Sequence, residues 1–404
     1  MTTPSLKRSG VGDRLLNGLF SLGHFAVDIN HTALSALLPF LIAAYHYDYA
    51  TAAALVAVSN IFGSLVQPLL GDLADRRSLS WIMPAGLLLG GGGMAMTGVI
   101  SNFWGLCLAV MVSGLGVAAY HPQAARMVNR VSTRRNRGRA LSVFSFGGNL
   151  GATFGPIILT TSIAAFDIRG TLTFWIPEII VSLLILFAYR SILALDDPQR
   201  RTGGMTPTPR AAVADALPPD QWRAFWKMCV AMFGRSIIYA GLATFIALYW
   251  SHELGQSRTA GSVALSVYFA VGAACTLEGG ALTDRIGPIR AARTGFAVLL
   301  PALALLAAGH SLFLAWIALI GCGCGISLVY SPMVMLGQSY LPRRVGFASG
   351  ITLGLSVFIG GILAPVLGRV ADSFGLPVTL TVLAVIAVIP LVATFFFEEP
   401  VGEV

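Results

Sequence analysis

Apolar residues along this chain neither alternate nor gather into a narrow helical stripe. They fill long unbroken runs at 15–44, 51–70, 81–100, 103–127, 140–165 and 171–190. A second series falls at 222–250, 260–280, 291–309, 312–337, 346–368 and 377–397. A helix rises about 1.5 Å per residue, so roughly 20 apolar residues cross a hydrocarbon core about 30 Å thick. Each run therefore predicts one transmembrane helix, twelve in all. Between the two series the pattern changes. Leu195 to Asp220 is rich in Pro, Gly, Thr, Arg and Asp and reads as a flexible linker. The expected organisation is an N-terminal six-helix half over 1–190, a cytoplasmic linker over 191–221 and a C-terminal six-helix half over 222–404.

Composition narrows the class. Of 404 residues 56% are hydrophobic and 11% charged, against about 25% charged in soluble domains. One soluble core cannot hide that much apolar surface. A soluble enzyme, a secreted disulfide scaffold and a disordered chain are excluded. The net charge of +8 would point to nucleic acid in a soluble protein, but the polar segments account for it. With the N-terminus inside, 21 of the 26 basic residues fall on inner segments and three, Arg169, Arg258 and Arg369, on outer ones. The positive-inside rule then sets both termini in the cytoplasm. No nucleic-acid partner is needed; membrane lipid is the expected surrounding. The polar, basic start precedes a long apolar run without a small-residue cleavage site, so the first helix is expected to be retained. Five cysteines show no metal-ligand spacing and read as buried thiols. No metal or cofactor is expected.

The halves echo each other. Gly71-Asp72-Leu73-Ala74-Asp75-Arg76 follows the second run, and Gly280-Ala281-Leu282-Thr283-Asp284-Arg285 follows the eighth, 209 positions on. Gly114 and Gly116 match Gly323 and Gly325, and Pro156 matches Pro365, at the same offset; Tyr120-His121-Pro122 matches Tyr330-Ser331-Pro332 at 210. Repeated halves of this kind build transporters whose site lies at the midplane between them. The Gly71–Arg77 segment resembles the signature between helices 2 and 3 of the major facilitator superfamily, and Gly280–Arg285 resembles its second copy. The resemblance spans about Leu15 to Phe397. Gly23-His24-Phe25-Ala26-Val27-Asp28-Ile29-Asn30 and Tyr120-His121-Pro122-Gln123-Ala124-Ala125-Arg126 look like the fosmidomycin-resistance family of exporters. That likeness implies drug export driven by proton entry, and it implies gating roles for Asp75, Arg76, Asp284 and Arg285. Gly151-x-x-x-Gly155-Pro156, preceded by Gly147-Gly148-Asn149, resembles the core of the superfamily's antiporter signature. It departs at Ser142 and at Leu159-Thr160, where glycines are expected.

Neither lysine lies in a Gly-x-x-x-x-Gly-Lys loop, since Leu6 precedes Lys7 and Trp226 precedes Lys227. The driving force is then an ion gradient or the solute's own. A charge at the bilayer centre costs about 2.5–3.5 kcal/mol on insertion scales, so each one inside a run is a functional candidate. His24, Asp28 and His31 stand at i, i+4 and i+7 on one helix face, and histidine changes charge near neutral pH. They are the expected proton-coupling group, with Glu178 as a second proton site or an outer gate. Asn30 points elsewhere and is expected to pack. His121, Gln123 and Arg126 follow the helix-loosening Pro122, and the planar fork of Arg126 suits a phosphonate or carboxylate. Arg235, with Tyr239 one turn on, has no cheap partner in its run. Together with Asn149 and Tyr330 these are the expected substrate-binding residues. An arginine, Arg126 or Arg235, is expected to pair with Asp28 and to be released when Asp28 is protonated.

The sequence thus reads as an all-α membrane protein of twelve transmembrane helices in two pseudo-symmetric bundles. It is expected to be a monomeric, proton-coupled antiporter of the bacterial cytoplasmic membrane that exports a small anionic or zwitterionic compound, such as a fosmidomycin-like drug. A proton-coupled uptake symporter for an organic acid or sugar-type solute is the alternative. No nucleophile elbow or His-Glu-x-x-His occurs, and no appended domain offers a soluble active site, so an enzyme is not expected.

Overall fold

The computed structural model of the chain describes residues 10–67, 70, 79–132, 137–196, 218–309, 311–344, 347–348 and 350–401. The signature loop holding Asp75 and Arg76, and nearly all of the expected linker, lie outside these residues. The described chain is helical almost throughout. In the N-terminal bundle the helices are α1 Gly10–Tyr45, α2 Tyr49–Leu65, α3 Ile82–Met96, α4 Phe103–Val131, α5 Arg137–Phe166, α6 Trp175–Phe187 and the short α7 Tyr189–Asp196. The C-terminal bundle holds α8 Trp222–His252, α9 Arg258–Ile286, α10 Pro288–Ala308, α11 Leu312–Leu328, α12 Tyr330–Tyr340, α13 Ser356–Phe374 and α14 Leu376–Ala393. Only helices can satisfy every backbone amide locally where no water is present.

Boundaries differ from the apolar runs for physical reasons. The apolar stretch Val143–Phe187 is broken by a 3-10 turn over Asp167–Phe174, with Asp167 at φ 53°. That turn starts α6 later than its run. The run 312–337 is interrupted at Val329, where Pro332 withholds an amide from the preceding turn. It forms one span from two pieces, α11 and α12. Polar caps start the helices that leave the end of the bundle away from the N-terminus, here called the far end. Asp48, Asn102 and Ser257 accept from the amides of Thr51, Gly105 and Ala260 at 2.7, 2.7 and 3.1 Å. Hydrogen bonds from Thr51 hold the Asp48 carboxyl below its usual range. Exposed Trp104, Phe187, Phe313 and Phe374 face outward, as expected of a surface in contact with lipid tails.

The internal repeat has a packing cause. A Cβ on Gly116 would lie 2.2 Å from the Gly90 nitrogen on α3, and one on Gly114 would lie 2.4 Å from the Ser59 oxygen on α2. Their counterparts behave alike: Gly325 meets Leu299 of α10 at 2.7 Å, and Gly323 meets Tyr268 of α9 at 3.0 Å. Gly151 of α5 packs on Phe25 of α1, and Gly360, also 209 on, packs on Ser236 of α8. The recurring glycines mark where backbones touch.

Two apolar cores result. One, built from Phe20, Met83, Tyr120, Phe144 and Ile185 among others, belongs to the N-terminal bundle alone. The other joins both bundles and includes Leu34, Leu38, Leu55, Phe245 and Leu367. The bundles therefore share a core toward the far end. A clamp reinforces this closure. Asp372, at the end of α13, accepts from the amides of Tyr49 and Ala50 at 2.7 and 3.0 Å. These are first-turn amides of α2, which have no partner within their own helix and sit at the positive end of its dipole. Tyr49 Oη lies 2.6 Å from His252 Nδ1, and the Arg258 guanidinium stands 5.5 Å over Phe40.

Two outcomes follow. Gly116→Ala should lower stability by about 1–3 kcal/mol by forcing α3 from α4, read as a lower melting temperature in detergent. Gly18→Ala, with nothing within 4 Å, should not lower it; equal loss in both would refute the packing account. Asp372→Ala should weaken far-end closure by about 1–3 kcal/mol. Spin labels at Ala44 and Glu253, in a cysteine-free background, should then show a longer distance population, and an unchanged distribution would show that the clamp contributes nothing.

Candidate functional site

Two polar sites lie inside the bundles. The first is a cluster between α1, α4 and α5. His24 and Asp28 are one turn apart on α1, and His121 reaches them from α4. His24 Nε2 is 3.4 Å from Asp28 Oδ2, and His121 Nε2 is 3.2 Å from Asp28 Oδ1. The imidazoles meet edge to face at 4.7 Å, and the Phe144 ring stacks on His24 at 4.2 Å. Gly148 of α5 makes room: a Cβ there would lie 2.5 Å from His24 Nε2 and 2.7 Å from Asp28 Oδ2.

The opposite ring nitrogens fix the chemistry. His24 Nδ1 lies 2.8 Å from the Phe144 carbonyl, and His121 Nδ1 lies 3.0 Å from the Val117 carbonyl. A carbonyl oxygen only accepts, so each Nδ1 carries hydrogen. In a neutral ring Nε2 is then a lone pair, and it faces a carboxylate oxygen that also only accepts. Each Nε2–Asp28 contact becomes attractive with a further proton, held on the ring or on the carboxyl, or with a cation among the three ligand atoms, which lie within 4.8 Å of one another. The arrangement can hold a proton between the ring nitrogens and the carboxylate.

The second site is a cavity of about 310 Å³ at the junction of the bundles. On one wall lie His31, Thr32 and Ser35 of α1, Ser59 and Asn60 of α2, and Asn149 of α5. On the other lie Arg235, Ser236, Tyr239 and Thr244 of α8, Tyr268, Phe269 and Thr276 of α9, Ser327 of α11 and Tyr330 of α12. No Asp or Glu is among the lining residues. Arg235 is 8% exposed; its Nε donates to the Ile326 carbonyl at 3.0 Å. Its guanidinium stands over the rings of Tyr330 and Tyr239, 4.9 and 5.7 Å from their centroids.

Several expectations need correction. Asp28 pairs with two histidines rather than with Arg126 or Arg235. Arg126 Nη1 instead donates to Gln123 Oε1 at 3.2 Å on its own helix, and Arg235 is held on the far wall of the cavity. A backbone-tethered imidazole reaches Asp28 more closely than either longer side chain. His31 does not join His24 and Asp28. Seven residues along α1, it faces the cavity, and its Nε2 donates to Asn60 Oδ1 at 2.9 Å. Asn30 does more than pack: its Nδ2 donates to Glu178 Oε1 at 2.5 Å. Glu178 is fully buried behind α1, near Gly90 and Gly91 of α3, and is absent from the cavity lining. His24, Asp28, His121, Gln123 and Arg126 are also absent from it, whereas His31, Asn149, Arg235, Tyr239 and Tyr330 are present. Asp284 and Arg285 are exposed at the end of α9 and form no ion pair with a described residue. Sequence reasoning missed Ser59, Asn60, Ser236, Thr244, Tyr268 and Ser327. Each is a polar group inside an apolar run, a weak signal because such groups more often satisfy a neighbouring helix.

Comparison with known proteins accords with this architecture. A sequence model described as the Major Facilitator Superfamily matches residues 20–365 and 228–403. The fosmidomycin resistance protein of Escherichia coli (strain K12) is 24% identical over 379 residues, covering 94% of this chain and 91% of that protein. A probable L-galactonate transporter of the same organism is 24% identical over 244 residues, 57% of this chain and 52% of its own length. Among solved structures, a bacterial homologue of the human lysosomal transporter Spinster, inward-facing and unoccupied, superposes with a TM-score of 0.80 at 16% identity, covering 96% of this chain and 98% of that one. Two six-helix bundles closing on a shared cavity, with a family match across nearly the whole length, make this a membrane transporter rather than an enzyme, and the chain belongs to the Major Facilitator Superfamily.

Proposed function

We propose that the protein is a proton-coupled antiporter that exports a small anionic or zwitterionic compound by alternating access. The observation that supports this reading is the His24–Asp28–His121 cluster, whose contacts a shared proton makes attractive, on the same helix that lines the cavity facing Arg235. In the loaded state the protons bind α1 to α4 through Asp28, and the Phe144 carbonyl holds His24 to α5. Loss of the protons sets lone pairs against the carboxylate and drives the three groups apart. Because α1 carries His31, Thr32 and Ser35 into the cavity, a shift of α1 changes the substrate wall. Arg235 supplies the counter-charge for the anion, and Asn149, Tyr239 and Tyr330 position it. Glu178 ties α1 to α6 through Asn30 instead of relaying protons, and Gln123 orients Arg126 near the cluster.

On the charge-based orientation the far end is the outer face of the cytoplasmic membrane, and both termini are inside. The Asp372 clamp then closes the outer side. Asp284 and Arg285, with Asp75 and Arg76 of the first copy, serve the inner gate. The protein acts as a monomer over 1–190 and 222–404, joined by the 191–221 linker. The relative named for fosmidomycin resistance supports export of a fosmidomycin-like drug or related metabolite. The partial likeness to the probable L-galactonate transporter favours a second reading, proton-coupled uptake of an organic acid or sugar-type solute.

The test is fosmidomycin transport in proteoliposomes with an imposed pH gradient. Wild type is expected to move drug against proton flow. Asp28→Asn should abolish uphill movement while substrate exchange persists. Full uphill transport by that variant would overturn the coupling role, and drug moving with the protons would favour the symporter.

A further inference from the structure

We propose that the cavity selects an acid carrying one negative charge on a flat, unsaturated body, with Arg235 and Tyr268 as its anchoring pair. This rests on the anion reading above and narrows it to a chemical class.

The charge limit comes from the lining. Among the described residues, Arg235 is the one Arg or Lys that lines the cavity. Its Nε is taken by the Ile326 carbonyl, and its two terminal amino groups have no hydrogen-bond partner among the described residues. They are the free edge of the guanidinium, and an acid head group fits them as a planar fork. The remaining cavity groups are neutral hydroxyls and amides, and His31 commits its Nε2 hydrogen to Asn60. One anionic charge is balanced there. A second would be buried without a counter-charge, and an unpaired buried charge is heavily penalised. A phosphonate is therefore accepted in its singly ionised form.

A second donor is waiting. Tyr268 is 1% exposed and lines the cavity, yet its buried hydroxyl has no hydrogen-bond partner among the described residues. Buried hydroxyls are ordinarily satisfied, so this one marks a place for a ligand acceptor. The Tyr239 ring neighbours both anchors: the Arg235 guanidinium is 5.7 Å from its centroid and the Tyr268 ring 6.2 Å.

The flat body follows from the surroundings of that head group. Four aromatic rings, Tyr239, Tyr268, Phe269 and Tyr330, line the cavity on the Arg235 side. Tyr239 and Phe269 are 6.4 Å apart, within the range of ring–ring interaction. The opposite wall offers Asn60 and Asn149, which suit a hydroxyl or amide on the far end of the ligand. At about 310 Å³ the space lies at the small end of ligand pockets. It holds one ring with an acid and a few further atoms.

The test is calorimetric titration of the purified full chain in detergent at about pH 8.5, where ordinary histidines are neutral. Three probes are compared: benzoate, cyclohexanecarboxylate of the same charge without the flat ring, and phenylphosphonate, doubly charged at that pH. Benzoate is expected to bind about tenfold more tightly than either. Arg235→Gln should abolish benzoate binding. Tyr268→Phe, which keeps the ring, should weaken it about fivefold with an unchanged melting temperature. If phenylphosphonate or cyclohexanecarboxylate equals benzoate and binding still needs Arg235, the class is wrong while the anion reading stands. If none of the three binds, or if benzoate binds Arg235→Gln and Tyr268→Phe as it binds wild type, the anion site itself falls.

Discussion

A charged or strongly polar group in hydrocarbon has to find its complement inside the protein, because neither water nor lipid tails supply one. The polar architecture of this transporter follows from that constraint. Asp28 is met by two imidazoles, Glu178 by an asparagine amide, and Arg235 by a backbone carbonyl and two tyrosine faces. Each solution differs in what it leaves available. Glu178 is sealed behind α1. Asp28 is shared between two imidazoles. Arg235 keeps a free edge toward a cavity. Amide tie, imidazole pair and aromatic cradle are three answers to the same problem of desolvation.

Close backbone packing makes these answers geometrically possible. Gly148 removes the side chain that would otherwise occupy the place of the His24–Asp28 contact. Gly147, Gly151 and Gly155 let α5 lie against Ser21, Phe25 and Ile29 of α1, so the Phe144 carbonyl comes within reach of His24. The same device recurs in the second bundle, where Gly360 brings α13 onto α8 beside Ser236. The small-residue faces fix helix separation, and the separation fixes which polar atoms meet.

Helix α1 joins the two polar sites. It carries His24 and Asp28 of the cluster, Asn30 with its bond to Glu178, and the cavity residues His31, Thr32 and Ser35 within three turns. A rigid helix passes displacement along its length. At the far end, a carboxylate placed at a helix start ties the bundles together across their interface.

Sequence alone determined the membrane class, the helical spans, the duplication and the family, because these depend on run length, composition and fixed spacing. It also singled out Asp28, His24, His121 and Arg235, since a polar group is conspicuous in an apolar run. Partner choice was a different matter. The i, i+4, i+7 spacing grouped His31 with Asp28, but a helix face seven residues long meets more than one neighbour: His24 and Asp28 meet α4 and α5, while His31 meets α2. Nothing in the order of residues says that His121 outcompetes an arginine, that Glu178 is absent from the cavity lining, or that Tyr268 lines it with a buried hydroxyl unpaired among the described residues. Those facts depend on the rotation and separation of helices far apart in the chain, and only tertiary packing sets them.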